Sequence, residues 1–403
     1  MFSTSRRKWL WTTIASTLIA LGAQWAHAQS NQPPVKVGML LGFTGPAAQG
    51  AANYLAATKL AVKEINDAGG LLGRRIELVL ADHGLDPARA VSEARRLVQL
   101  EKVTVVLGPE ASGLAVAIAP IFNEAKILYF STTVTAAPTP FNFTSLMSGL
   151  TQATAMMEFA ANNLKAKTVA IIADNGSVGK VLQEDVKRMA PGKGLQLVMT
   201  QEYDIRANDL TPQLLALRRT NPDVILHSGS LPTDGGTLIK TLAELGWTPK
   251  IISTVFGQST VQVMAVSGPD SFKSGSYWGL IPKAFTYCAK DKIGDRAYDR
   301  YLAKLKAFDP AAYEKIDHKV SLYIYDPIFV YAAAVAGSKS LDAQTNLTWI
   351  EQNGSKLRGA GAGYPLSPSP TSHFMQGPDS VTFVQRPDVL RNEDKLVERQ
   401  IDC

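Results

Sequence analysis

The chain has 403 residues, 46% hydrophobic and 19% charged, with a formal net charge of +6 and two cysteines. That length corresponds to about two to three domains and buries a core without needing disulfide or metal staples. The composition excludes a collagen-like, a disordered and a multi-span membrane chain.

Residues 1–28 read as a targeting segment. Arg6, Arg7 and Lys8 precede an apolar stretch from Leu10 to Ala23, and Ala26-His27-Ala28 has the small-x-small form of a cleavage site. The stretch is broken by Thr12, Thr13, Ser16 and Thr17, whereas a permanent anchor needs about 20 mostly apolar residues. Ser5-Arg6-Arg7-Lys8-Trp9-Leu10 has the form of a twin-arginine export signal, so both Sec and twin-arginine routes stay open. Cleavage after Ala28 predicts a periplasmic protein and removes half of the formal +6. The remaining basic pairs, Arg74-Arg75, Arg95-Arg96 and Arg218-Arg219, are scattered and lack interleaved aromatics, so nucleic acid is not an expected partner. Export puts Cys288 and Cys403 in an oxidising compartment, where an even pair is expected to form one disulfide; two free thiols are the alternative. Neither cysteine lies in a His-containing ligand cluster, so no metal is expected.

The rest of the chain alternates strand-length and helix-length segments. Val35 to Leu41 is an apolar run closed by Gly42-Phe43-Thr44-Gly45-Pro46, and Ala51 to Ala68 has helical periodicity ended by Gly69-Gly70. Ile76 to Ala81 predicts a second strand, and Asp86-Pro87 opens a helix with an N-cap and a first-turn proline. Val103 to Leu107, a helix from Ser112, and Ile127 to Ser131 continue the rhythm up to a polar stretch, Thr132 to Ser148. A second series follows: a helix from Thr151, a strand at Thr168 to Ala173, a helix from Val178, and a strand at Leu195 to Thr200. It continues with a helix at Thr211-Pro212, a strand at Val224 to Ser228, a helix to Leu245 and a strand at Ile251 to Val255. Ala297 to Ala336 is mostly helical, and residues beyond Gly359 are loop-rich with a strand at Val381 to Gln385. Near-continuous apolar strands indicate parallel sheets covered on both faces. The expected fold class is α/β, with two doubly wound, Rossmann-like lobes.

Catalytic and cofactor motifs are missing. The sequence has no G-x-S-x-G elbow, H-E-x-x-H or phosphate-binding P-loop. Gly359-Ala360-Gly361-Ala362-Gly363 has the glycine content of a dinucleotide loop, but no strand precedes it and Pro365 interrupts any following helix, so it reads as a flexible connector. No cofactor is expected, and an enzyme is unsupported for want of a nucleophile–base pair. What remains is a set of polar loops at the carboxyl ends of strands, where open α/β sheets bind ligands. Gly108-Pro109-Glu110-Ala111-Ser112-Gly113 opens a helix and offers amides, a helix dipole and a hydroxyl to an anion; Ser131-Thr132-Thr133-Val134-Thr135 offers four hydroxyls. Both loops also read as ordinary caps and turns when taken singly.

Several segments together resemble the type I periplasmic binding proteins, specifically the branched-chain amino-acid (Leu/Ile/Val-binding) group serving ABC importers. They are Val37-Gly38 to Thr44-Gly45-Pro46, Ala61 to Gly73 with Ile65-Asn66 and Gly69-Gly70, Asp82 with Asp86-Pro87 and Ala90, Leu107-Gly108, and Asn221-Pro222-Asp223. The resemblance implies two lobes joined by three crossovers, near 145–150, 279–284 and 355–362. Lobe 1 would comprise 35–147 and 284–357, and lobe 2 would comprise 148–279 and 362–403. It also implies ligand capture by hinge closure, delivery to an ABC permease, and a monomer. By the resemblance, Ser112 matches the carboxylate-binding serine, and Val134 and Thr135 match groups that receive the ligand ammonium. Phe43 and Thr44 line the first loop, and Glu110, Ala111 and Thr133 flank these positions.

The second lobe departs from amino-acid binders. Val178 stands where an aromatic residue often precedes the glycine, and Phe256 stands where an acid meets the ligand ammonium. A buried ammonium left unpaired is costly, so Phe256 favours an aromatic or aliphatic carboxylate, while Glu110 could supply the missing charge for an apolar amino acid. Asp174, Ser177, His227 and Ser230 are further candidates, all just after strands. The leading function is a receptor for a small carboxylate-bearing solute; the alternatives are a periplasmic sensor on the same fold and a receptor for an amide or urea-type solute.

Overall fold

Val35–Leu41 is buried along almost its whole length and becomes β1, the strand on which the first lobe is assembled. The structure is a computed structural model that describes residues 32–134, 139–204, 207–229, 231–255, 260–288 and 296–385, with the backbone of 391–392, 395–396 and 398–399. After β1 come α1 (Ala48–Asp67), β2 (Ile76–Asp82), α2 (Pro87–Arg96), β3 (Val105–Leu107), α3 (Ser112–Glu124), β4 (Leu128–Ser131) and β5 (Asn142–Met147). Helix α1 buries Ala51, Tyr54, Ala57, Leu60, Ala61 and Ile65, one face at helical spacing. Gly70 follows it with φ +73°, and a Cβ there would lie 2.1 Å from the carbonyl oxygen of Arg74, so the turn admits only glycine. Asn66 then bonds the backbone of Ile76 from both ends of its amide, at 2.6 and 3.1 Å, which fixes the start of β2. Asp86 caps α2 by accepting from the Arg89 amide at 2.7 Å, with Pro87 in the first turn.

The second series is α4 (Gly149–Asn162), β6 (Thr168–Asp174), α5 (Ser177–Met189), β7 (Gln196–Tyr203), α6 (Thr211–Thr220), β8 (Val224–Ser228), α7 (Pro232–Glu244), β9 (Ile251–Ser253), α8 (Thr260–Ser267) and β10 (Tyr277–Pro282). The chain continues through β11 (Thr286–Tyr287), α9 (Ala297–Phe308), α10 (Pro310–Tyr313), α11 (His318–Ser338), α12 (Ala343–Asn353), β12 (Phe374–Gln376) and β13 (Val381–Gln385). It ends in the short β14 (Arg391–Asn392), β15 (Lys395–Leu396) and β16 (Glu398–Arg399). The first sheet has the order β12-β5-β4-β3-β1-β2 and the second β13-β10-β9-β8-β6-β7. All pairings in the two sheets are parallel except β10 with β13. Helices cover both faces, as the apolar strands require.

Two features differ from the sequence expectation. The polar stretch 132–148 contains β5, whose Asn142, Thr144 and Ser145 are buried because their side chains bond Ser131 and Thr133 of the neighbouring segment. The third crossing falls at 377–380, not 355–362: β12 still pairs with β5 of the first sheet, and only β13 joins the second. The glycine run 359–363 is therefore not a connector between lobes. It wraps the carboxylate of Asp326 on α11, with Gly361 and Ala362 amides donating at 2.7 and 3.1 Å. Burial lifts Asp326 to about 6, against the pull of these amides. Cys288 follows β11 and is disulfide-bonded; Cys403 lies outside the described residues, and β16 pairs with β11.

His227, in the middle of the second sheet, is fully buried on β8. Its Nδ1 faces Ser253 Oγ at 2.8 Å and its Nε2 faces Tyr203 OH at 3.1 Å. Desolvation pushes the imidazole down to about 3, so the folded state holds it neutral.

A Cβ on Gly359 would lie 2.2 Å from Asp326 Oδ2. Gly359→Ala should therefore cost about 2 kcal/mol or more in urea unfolding by disrupting the clasp. For His227 the sign follows from its lowered pKa: the unfolded chain takes up the proton first, so stability is full above pH 6.5 and falls as pH drops towards 3. The expected slope is up to about 1.4 kcal/mol per pH unit, read as the difference between wild type and His227→Gln in unfolding titrations from pH 7 to 4.5; parallel curves would contradict it.

Candidate functional site

The strand orders place the two topological switch points between β1 and β3 in the first sheet and between β6 and β8 in the second. Loops leave the carboxyl ends of these strands in opposite directions, opening a crevice where a ligand can enter. In the first lobe the crevice is braced by one carboxylate. Glu110, after β3, accepts from the Gly42 amide after β1 at 3.0 Å and from His83 Nε2 after β2 at 3.0 Å. The Leu85 amide donates to His83 Nδ1 at 3.0 Å, which assigns the ring proton to Nε2, facing Glu110. Both oxygens of Glu110 thus accept a bond within its own lobe.

Thr44 is committed as well. Its hydroxyl and amide donate to Asp82 at 2.7 and 3.2 Å, and Arg89 Nη2 pairs with the same carboxylate at 2.6 Å. Burial alone would raise Asp82, but the Thr44 hydroxyl, the Gly84 and Thr44 amides and Arg89 together hold it below the usual carboxylate range. Phe43 is half-buried against the first-lobe core. Thr133 is buried, its hydroxyl facing Ser131 Oγ at 3.0 Å and its amide donating to Thr144 Oγ1 at 3.2 Å, so it supports the loop from behind.

Ser112 has a different standing. It is the first residue of α3, and Ala111 at the N-cap has extended backbone and no side chain able to cap the helix. The Leu114 amide bonds the Ala111 carbonyl at 3.1 Å, while partly exposed Ser112 and exposed Gly113 bring their amides and the Ser112 hydroxyl to the positive end of the helix dipole. Beneath this loop the buried Tyr54 lies beside the Thr132 hydroxyl, and burial pushes its phenol up to about 12.

In the second lobe, Asp174 is buried at the end of β6 and accepts from the Gly176 amide at 2.9 Å, closing its own loop. His227 is a core residue, as described above, and is corrected from a cleft residue to a structural one. Ser177 opens α5. Thr135, Ser230 and Phe256 lie outside the described residues.

Between the lobes is a cavity to which Val134 contributes from the first lobe and Val178, Val181 and Leu182 from α5. Gln152 of α4, Ser228 at the end of β8 and Thr254 after β9 complete its wall. Gly149 lets α4 and α5 approach, since a Cβ there would sit 2.3 Å from Val181 Cγ1. Sequence reasoning identified Val134 and missed the three polar groups. A signal existed for Gln152: it is a polar residue on the face of α4 that also buries Ala153, Met156, Met157 and Ala160.

Residues 34–375 match the family model of a periplasmic binding protein. A Leu/Ile/Val-binding protein of Rhizobium johnstonii is 29% identical over 247 residues, 60% of this chain and 65% of that protein, so the match spans slightly less than two thirds of the relative's length. An amino acid binding protein of Pseudomonas aeruginosa is 25% identical over 79% of this chain and 83% of its own. The fold is shared with the branched-chain amino acid binding protein LivJ of Streptococcus pneumoniae in complex with isoleucine (TM-score 0.69, 18% identity, 91% of this chain and 99% of that one). It is shared equally with a solute-binding protein of Rhodopseudomonas palustris in complex with 4-hydroxybenzoate (TM-score 0.69, 20% identity, 92% and 96%). With two doubly wound lobes facing each other across a crevice and a family model that covers most of its length, the chain belongs to the periplasmic binding protein family.

Proposed function

We propose that this receptor takes a small carboxylate without an ammonium group, an aromatic or aliphatic acid, and delivers it as a monomer to an ABC permease after export and cleavage at Ala28. A disulfide between Cys288 and Cys403 belongs to the same reading, since β16 brings the C-terminal strand beside β11. The uncapped start of α3 at Ser112 supplies amides and a hydroxyl for the carboxylate.

The observation that carries the charge preference is the state of the acids. Among the described residues at the strand ends, Asp82, Glu110 and Asp174 each bond within their own lobe, and Asp234 accepts from the Leu231 amide at 2.9 Å. An ammonium enclosed there would have to compete with these bonds for its counter-ion. The ligands of the two structural neighbours, isoleucine and 4-hydroxybenzoate, share a carboxylate and differ in the ammonium, so both lie within the reach of this fold.

Leucine and 4-methylpentanoate differ only in that ammonium. In a thermal-shift and calorimetric comparison on the mature protein, 4-methylpentanoate or benzoate should raise the melting temperature and leucine should not. A ligand at 100 times its dissociation constant adds about 2.7 kcal/mol. Ser112→Ala should weaken the bound acid by about tenfold to a hundredfold, the worth of a hydrogen bond to a charged group. Tight leucine binding with no response to 4-methylpentanoate would overturn the charge reading.

A further inference from the structure

Three polar side chains, those of Gln152, Ser228 and Thr254, line the cavity between the lobes. Thr254 is 7% exposed, and its hydroxyl is buried without a partner. Gln152, 7% exposed, and Ser228, 1% exposed, are held through their backbone, the Gln152 main-chain amide donating to the Ser148 carbonyl and the Ser228 carbonyl accepting from Tyr203 OH, which leaves both side chains to the cavity wall. Buried polar groups are normally satisfied, and each exception calls for a reason. The Thr254 exception lines the same cavity as Gln152 and Ser228, which come from two other elements of the second lobe. None of the three is ionisable, and the rest of the wall is aliphatic, from Val134, Val178, Val181 and Leu182.

We infer that this end of the cleft is a specificity subsite for an uncharged hydrogen-bonding group, a hydroxyl or carboxamide carried by the ligand at the far end of an apolar body. The inference rests on the proposed carboxylate-binding function and adds to it the chemistry of the ligand's other end. Gln152 offers both a donor and an acceptor, and each hydroxyl can do either, so the cluster satisfies a ligand hydroxyl in both of its roles. A second carboxylate or an ammonium would enter an aliphatic wall with no opposite charge among the described lining residues and is disfavoured by desolvation. An acid lacking the polar group offers no partner to the Thr254 hydroxyl. Discrimination by a site built to hydrogen-bond is therefore stronger than discrimination by a hydrophobic pocket alone.

The test compares matched acids by calorimetry on the full mature chain: benzoate with its 3- and 4-hydroxy derivatives, and hexanoate with 6-hydroxyhexanoate. A hydroxylated acid should bind about tenfold or more tighter than its parent. Thr254→Val and Gln152→Met should reduce that advantage to within about threefold and leave affinity for the parent acid nearly unchanged, a pattern that a folding defect does not produce. Parent acids binding as tightly as every hydroxylated partner would overturn the subsite, as would an advantage that survives in both variants. If amino acids prove to be the ligands, the same comparison is made between leucine and 4-hydroxyleucine. The charge reading then fails while the subsite is still judged, and silence across all pairs overturns both.

Discussion

The Glu110 carboxylate holds together the three loops on which the first half of the cleft is built. It reaches the Gly42 amide after β1 and the His83 ring after β2 from its own place after β3, tying across the switch point. A Cβ on Gly42 would sit 2.6 Å from Ala47 Cβ and 3.1 Å from Glu110, so the approach of these loops depends on a residue with no side chain. With the brace in place, the loop that leads into α3 is held at the switch point. The acid nearest Ser112 is held in place by neutral donors, which fix its position.

The same economy recurs on the other side. Asp174 closes its own loop, and His227 joins Tyr203 and Ser253 inside the second sheet. Polar groups near the cleft thus fall into two populations: those satisfied within the fold, which give it a rigid rim, and those left open, which are the Ser112 end of α3 and the Gln152, Ser228 and Thr254 cluster. The first population sets shape and the second sets chemistry. A receptor that closes by rotation of two lobes needs both, because the rim must keep its form while the open groups find partners only in the bound state.

Much of the architecture was legible in the sequence. The alternation of apolar runs with helical periodicity, the Asp86-Pro87 cap and the Gly69-Gly70 turn each carry local physics that survives tertiary context. β5 was hidden because its buried residues are polar and become acceptable only through partners distant in sequence. The third crossing was misplaced because a glycine run reads locally as a connector, whereas its actual partner, Asp326, lies on a helix far upstream. The site shows the same division. Val134, expected by resemblance, lines the cavity between the lobes, but whether Glu110, Thr44 or His227 is bonded within the fold depends on neighbours that spacing alone does not reveal.

The order of the strands has a consequence for how the molecule is made. The outermost pairing partners of β5 and β10 are β12 and β13, separated only by the stretch from Gly377 to Ser380 near the end of the chain. Until that short segment has emerged, both sheets carry an unpaired, largely buried-type strand at an edge, the feature most prone to pairing with another molecule. One stretch of chain thus seals both lobes at the same moment. The edge strands β5 and β10 gain their last partners from one segment of the chain.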